Sequence, residues 1–304
     1  MRKIRILLFI ICLVFMSSGC TKKTFKEENV GSTPLLLEVT KEGQSNKLYL
    51  FGSIHAADDT MYPLSDNIMK AYKDSDYLAV EFDLVTYMND LSSQMRDILP
   101  FMYDNNKSIK DDISDELYKS TEEILKAAGL YSSLYDRYKP IIWQTLIENA
   151  VISDTGLDEL KGIDMYFLNL AHEDEKEIIE LESANYQYGI LSNFDMDMQV
   201  YLLEESVNNY SESLYNMKEL YELYKKGNKD ELEAFLFIED EGNEYDQIYN
   251  DALITIRNQN MTKNLEEYFA QDKNIFCTVG LAHIIGENGI ADLLEKDGYK
   301  VEVK

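Results

Sequence analysis

Leu48-Tyr49-Leu50-Phe51-Gly52-Ser53-Ile54-His55 is an apolar run that closes on Gly-x-x-His, and Ile275-Phe276-Cys277-Thr278-Val279-Gly280-Leu281-Ala282-His283 repeats the pattern near the far end of the chain. The chain has three histidines in 304 residues, and two of them hold the same place in the same local pattern. Each run reads as a strand. Its tip carries a glycine, where backbone can pass closely, and then an imidazole that projects from the following loop. Two such tips on neighbouring strands would aim both rings at one point, which is how a metal or acid/base site is built from distant sequence. Strands from opposite chain ends must then lie side by side.

Working outward, Leu35 to Thr40 and Lys47 to Phe51 flank the polar, glycine-bearing stretch Lys41 to Asn46, which predicts a β-hairpin. Pro63 opens a predicted helix with Leu64, Ile68, Ala71 and Tyr72 on one face. Tyr77 to Asp83 reads as a strand, apolar until its end, and continuous apolarity suggests cover on both faces. Residues 84–160 read mainly as helices. One is well marked, with Ser114 as N-cap, Asp115 and Glu116 in its first turn, and Gly129 as its stop. Glu177 to Glu182 reads as a short strand. Residues 196–270 are again helical, tyrosine-rich and acidic, and broken at Gly227-Asn228 and near Gly242. Strand 275–279 precedes a helix ended by Gly298, and Tyr299, Val301 and Val303 alternate as a last strand. The fold class that follows is α/β: a central mixed sheet formed by strands from both chain ends, with a large helical insertion in the middle.

The N-terminus reads differently. Arg2, Lys3 and Arg5 precede the apolar run Ile6 to Met16, which is short of the roughly 20 residues a membrane span needs. It fits an export signal over residues 1–19. Ser18-Gly19-Cys20 resembles a bacterial lipobox, although Ser17 stands where an aliphatic residue is usual; an ordinary signal peptide is the alternative. With lipid on Cys20, residues 20–33 become a flexible tether and 34–304 the folded domain, held to the extracytoplasmic face of the cell membrane. Cys277 is then the remaining cysteine and reads as a buried, inert thiol. The net charge of −27 becomes −30 when the three N-terminal cations leave. Such a surface repels phosphate backbones, so nucleic acid is excluded as a partner, and it repels anionic lipid headgroups too.

The chemistry centres on His55, His283 and Glu81. A carboxylate within an apolar strand is costly unless paired or bound to a cation. Two imidazoles and one carboxylate form a ligand set that leaves positions open for water or substrate. The competing reading pairs Glu81 with an arginine and leaves both histidines as satisfied loop residues. Glu182 ends its strand and can reach the same cleft, while Arg257 either binds a substrate carboxylate or pairs with an acidic residue. Asp58 and Asp59 read as solvated loop residues rather than extra ligands, Asp164 as a helix cap, and His172 as a surface histidine. Trp143 and the many tyrosines read as core and rim packing, with a peptide groove as the alternative.

Gly52-Ser53-Ile54-His55, Tyr62-Pro63-Leu64 and Val80-Glu81-Phe82-Asp83 together resemble the opening of the TraB/GumN family, which includes Tiki-like metalloproteases. Gly162-Ile163-Asp164, Leu181-Glu182-Ser183 with Gln187, Arg257-Asn258-Gln259-Asn260-Met261 and the closing Val279-Gly280-Leu281-Ala282-His283 are similar to its later motifs, covering most of residues 35–303. Ala282 departs from the family's frequent Gly-x-Gly-His. The resemblance implies a metal-dependent hydrolase-like site with His55, Glu81 and His283 as ligands or catalytic groups. It also implies a manganese-, cobalt- or zinc-type divalent ion and a peptide or small-molecule substrate. The expectation is an exported, lipid-anchored peptidase. The alternatives are a protein of the same cleft that sequesters a peptide or small ligand without turnover, and one that captures haem or metal through its two histidines.

Overall fold

Strand β1 (Leu36–Thr40) turns back on β2 (Leu48–Ser53) as an antiparallel hairpin, with Leu37 opposite Leu50. The remaining strands are β3 (Tyr77–Val80), β4 (Glu177–Glu180), β5 (Ile275–Gly280) and β6 (Lys300–Val303). They complete a six-stranded sheet of order β4-β3-β5-β2-β1-β6. The first four in that order run parallel, while β1 is antiparallel to both its neighbours. This mixed sheet of N- and C-terminal strands is the one the sequence predicts. The molecule is known from a computed structural model that describes residues 2–4, 31–104, 106–239 and 242–304. Apart from residues 2–4, the predicted export signal therefore lies outside the described residues, as do Cys20 and nearly all of the tether. A separate two-stranded pairing joins Arg2–Ile4 to Phe237–Glu239. No helix among the described residues is long and apolar enough to cross a membrane.

Every residue of β2 and β5 is buried, as continuous apolar strands demand. Helix Ile163–Glu173 sets Phe167 against Phe276 at 4.8 Å and Phe51 at 5.6 Å. Helix Ile256–Phe269 adds Met261, Leu265 and Phe269 to the same core. The hydroxyl of fully buried Tyr224 donates to the Gly52 carbonyl at 2.6 Å and fixes the tip of β2 from behind. Cys277 is buried as expected, and burial pushes its thiol up.

Two boundaries differ from the sequence reading. The helix after Pro63 begins at Asp66, because Leu64 bridges to Ser32 and Ser65 N–H donates to the Ser32 carbonyl, which holds that segment extended. Strand β3 stops at Val80, because Asp83 accepts from Thr86 N–H and caps a new helix, Leu84–Asn89. Glu81 is therefore the first residue beyond the strand, not an interior one.

The helical insertion builds a second core around Trp143, whose indole N–H donates to the Tyr135 carbonyl at 2.9 Å. Trp143 lies in helix Pro140–Thr155, which is buried on nearly all sides. That helix also carries Glu148, which is 3% exposed. One Glu148 oxygen accepts from Gln144 at 2.5 Å, and the other is buried with no hydrogen-bond partner among the described residues. Burial raises its pKa well above the ordinary carboxylate value, so the folded state holds a proton that the unfolded chain releases. Its contribution to stability is present below the unfolded pKa and is lost as pH rises. Glu148→Gln should stabilise the protein at pH 8 by on the order of 1–3 kcal/mol, with little gain near pH 4. Urea melts at both pH values test this, and an equal effect at the two would refute it.

Candidate functional site

The two Gly-x-x-His tips lie on adjacent parallel strands in register, Gly52 beside Val279 and Ser53 beside Gly280. Gly52 is required for a steric reason. A Cβ there would stand 2.8 Å from the Leu281 Cα, so the glycine of the first motif makes room for the backbone of the second. The tips emerge at the carboxyl ends of the parallel strands, where open α/β sheets place ligands. Glu81 and Glu182 leave the ends of β3 and β4 side by side, joined by a hydrogen bond from Glu182 N–H to the Glu81 carbonyl at 2.8 Å.

His55, Glu81 and His283 face one small space in front of Gly280. A Cβ on Gly280 would lie 3.4 Å from His283 Cδ2, 3.5 Å from Glu81 Oε1 and 3.9 Å from His55 Nε2. The His283 Nε2 stands 4.0 Å from Glu81 Oε1. Behind each ring, Nδ1 is engaged by an oxygen: Asp164 Oδ2 at 2.8 Å for His55, and Asn258 Oδ1 at 2.6 Å for His283. Glu81 Oε1 accepts from Gly280 N–H at 2.9 Å, and Oε2 accepts from Gln187 at 2.8 Å and Arg257 at 2.6 Å. Arg257 also grips Glu182, through Nε at 2.9 Å and an amino nitrogen at 2.7 Å, and donates to the Leu253 carbonyl. Of the two readings of Arg257, the structure displays the ion pair. The guanidinium of Arg257, a residue only 3% exposed, serves two carboxylates at once.

The environment separates the two imidazoles. Burial works against a charged His55, but the charge and hydrogen bond of Asp164, with Glu81 and Glu159 beyond, raise its pKa to about 9. Burial and then the nearby Arg257 charge lower His283 to about 3, so that ring is neutral at physiological pH. Burial opposes ionisation of Glu81, yet Arg257 outweighs it and holds the carboxylate well below its ordinary range. Burial raises Glu182, with Arg257 partly offsetting it.

Among the described residues, no three His, Cys, Asp or Glu side chains are already drawn together closely enough to enclose a metal ion. The donor chemistry nevertheless suits one. Each imidazole turns Nε2 toward the shared space while its Nδ1 is tied behind, the usual outer arrangement of metal-binding histidines. Once a bound cation has displaced the His55 proton, both rings are neutral, and Glu81, Glu182 and Asp164 set three carboxylates against the single Arg257 guanidinium. The two negative charges left over match a divalent cation.

His55, Glu81, His283, Arg257 and Glu182, the five residues that the sequence singles out, lie together in the structure. Asp164 is not the cap that the sequence suggests: the helix starts at Ile163, whose N–H donates to the Ile54 carbonyl, and this sets the Asp164 side chain on His55. The sequence assigns Asn258, next to Arg257, no role of its own, and the structure sets it on His283. Asp58 and Asp59 serve elsewhere, on Tyr221 and Lys161. His172 is exposed, as the sequence suggests, and pairs with Asp83 at 2.9 Å.

A family model described as the TraB/PrgY/gumN family matches residues 35–303. The uncharacterized protein YbaP of Escherichia coli is 27% identical over 176 residues, which is 57% of this chain and 62% of YbaP. Metalloprotease TIKI2 of Xenopus tropicalis is 21% identical over 84% of this chain and 57% of its own length. The metalloprotease TIKI homolog of Nematostella vectensis is 23% identical over 84% of this chain and 64% of its own. The chain thus spans about three fifths of the relatives it matches. No solved structure gives a significant match.

Proposed function

Because this chain belongs to the TraB/PrgY/gumN family, we propose that it is an exported, lipid-anchored, metal-dependent hydrolase that cleaves peptides. The observation that carries the reading is the convergence of His55, Glu81 and His283 on one space in front of Gly280. Those three would hold the divalent ion. When bound, the ion supplies Lewis acidity toward a carbonyl and a more acidic water. The similarity to metalloproteases of the TIKI type supports this choice of chemistry.

The chain's own residues do the rest. Arg257 and Gln187 hold Glu81 in one orientation, which leaves Oε1 as the oxygen that faces both rings. Asp164 pins His55, and a cation bound there must displace the Nε2 proton that Asp164 favours. Glu182 balances the second half of the Arg257 fork, so the guanidinium fastens two strand ends rather than meeting solvent. Gly280 leaves the reacting space empty and donates its N–H to Glu81.

Gly280 has φ −46° and ψ 135°, a backbone open to alanine, so its role is spatial rather than conformational. Gly280→Ala should therefore fold almost normally and lose about 10²-fold in hydrolysis, because its methyl would occupy the space that the three side chains face and misplace what binds there. Kinetics on a peptide library, with a melting curve as control, measure both. The reading itself is tested by metal analysis of the purified protein supplied with manganese, cobalt or zinc, followed by digestion of the same library. A protein that stays metal-free under all three ions refutes it. A metal-bound protein that retains peptides without cleaving them supports sequestration instead.

A further inference from the structure

Asn258 does more than fill space behind His283. Its amide nitrogen donates to the backbone carbonyl of Asn288 at 2.9 Å, while its amide oxygen meets His283 Nδ1 at 2.6 Å. A backbone carbonyl can only accept, so it settles which end of the amide faces it. The oxygen is then turned to the ring, and an amide oxygen can only accept as well. His283 must therefore donate, which puts its proton on Nδ1 and the lone pair on Nε2, toward Glu81.

The Asn288 carbonyl is itself held. Asn288 sits in a tight turn at φ 60°, its N–H donating to Asp292 at 2.7 Å, and Gly289 N–H closes the turn on the Gly286 carbonyl. The direction of the relay is thus written in main chain, from the turn to Asn258 to the imidazole. It differs from the partner at His55, where a carboxylate accepts and adds charge. A neutral amide fixes the tautomer of a buried ring without stabilising its cation.

We propose that Asn258, oriented by the Asn288 carbonyl, is the positioning residue that holds His283 in the Nδ1–H tautomer and so keeps its Nε2 lone pair available to a divalent cation. The tautomer stands on the geometry alone; its use rests on the metal reading above. The test is nitrogen NMR of the full chain with labelled histidine, metal-free, near pH 7, which is tractable with three histidines. Resonances are assigned by removing His172 and His55 in turn. Wild type should show His283 with a pyrrole-type Nδ1 and a pyridine-type Nε2. The reverse pattern overturns the proposal before any variant at Asn258 is made. Asn258→Leu should move the proton in part or wholly to Nε2, where Glu81 can accept it, and weaken manganese binding by about 10–100-fold. Asn258→Asp, which returns an oxygen to that place, should keep the proton on Nδ1. An unchanged tautomer in a folded Asn258→Leu protein also overturns the proposal. A correct tautomer in a protein that binds no metal supports the positioning role and refutes the metal reading separately.

Discussion

His283→Ala is expected to lower peptide hydrolysis by roughly 10³-fold or more, and to abolish metal retention. The argument starts from burial. The ring has no exposed surface and stays neutral, so no other side chain replaces its Nε2 donor. Removing one of three proposed ligands forfeits several kcal/mol of transition-state charge stabilisation, and each ~1.4 kcal/mol is tenfold in rate. The same change leaves the Asn258 oxygen facing a void, which costs about 1–3 kcal/mol of stability. Rates must therefore be expressed per folded molecule, with circular dichroism melts alongside. Undiminished turnover in folded His283→Ala protein would remove the ring from the mechanism.

Arg257→Met should be the most destabilising single change at the site, by about 3–5 kcal/mol. The guanidinium is the shared counter-ion of Glu81 and Glu182, whose side chains are 16% and 2% exposed. Without it, two like charges stand together with little water. For a chain of this size the loss corresponds to a fall in melting temperature of roughly 6–20 °C. The pH dependence has a definite sign. In the wild type the lowered Glu81 pKa contributes stability above its unfolded value, and that contribution is lost as pH falls through the folded one. In the variant the same carboxylates gain by taking up protons. The gap between the proteins should therefore narrow from pH 8 toward pH 4. Adding Glu182→Gln to Arg257→Met should recover part of the loss at neutral pH. Melts of the variant within 1 kcal/mol of wild type at pH 8 would show that the ion pairs are not what joins these strand ends.

The sheet was legible because its central strands β2 and β5 are fully buried and the repeated Gly-x-x-His tips demanded that they be neighbours. The five candidate site residues followed because charged or rare side chains beside apolar runs carry a large desolvation cost and stand out. What stayed hidden were partners whose role depends on packing. Asp164 near a helix start looks the same in sequence whether it caps the helix or faces a ring. Asn258 needed the Asn288 turn, whose position relative to it is a tertiary fact. The sequence leaves Arg257 open between substrate and structure, because tertiary packing decides which carboxylate a guanidinium meets.

The place of β5 in the sheet has a consequence in time. It lies between β2 and β3, yet it is synthesised after both. Until it arrives, the strands bearing His55 and Glu81 have no shared neighbour, and the space in front of Gly280 does not exist. Such long-range pairing is slow to form. A chain in which β5 has not yet been made therefore carries no assembled centre, and whatever chemistry the protein performs is withheld until that strand is inserted.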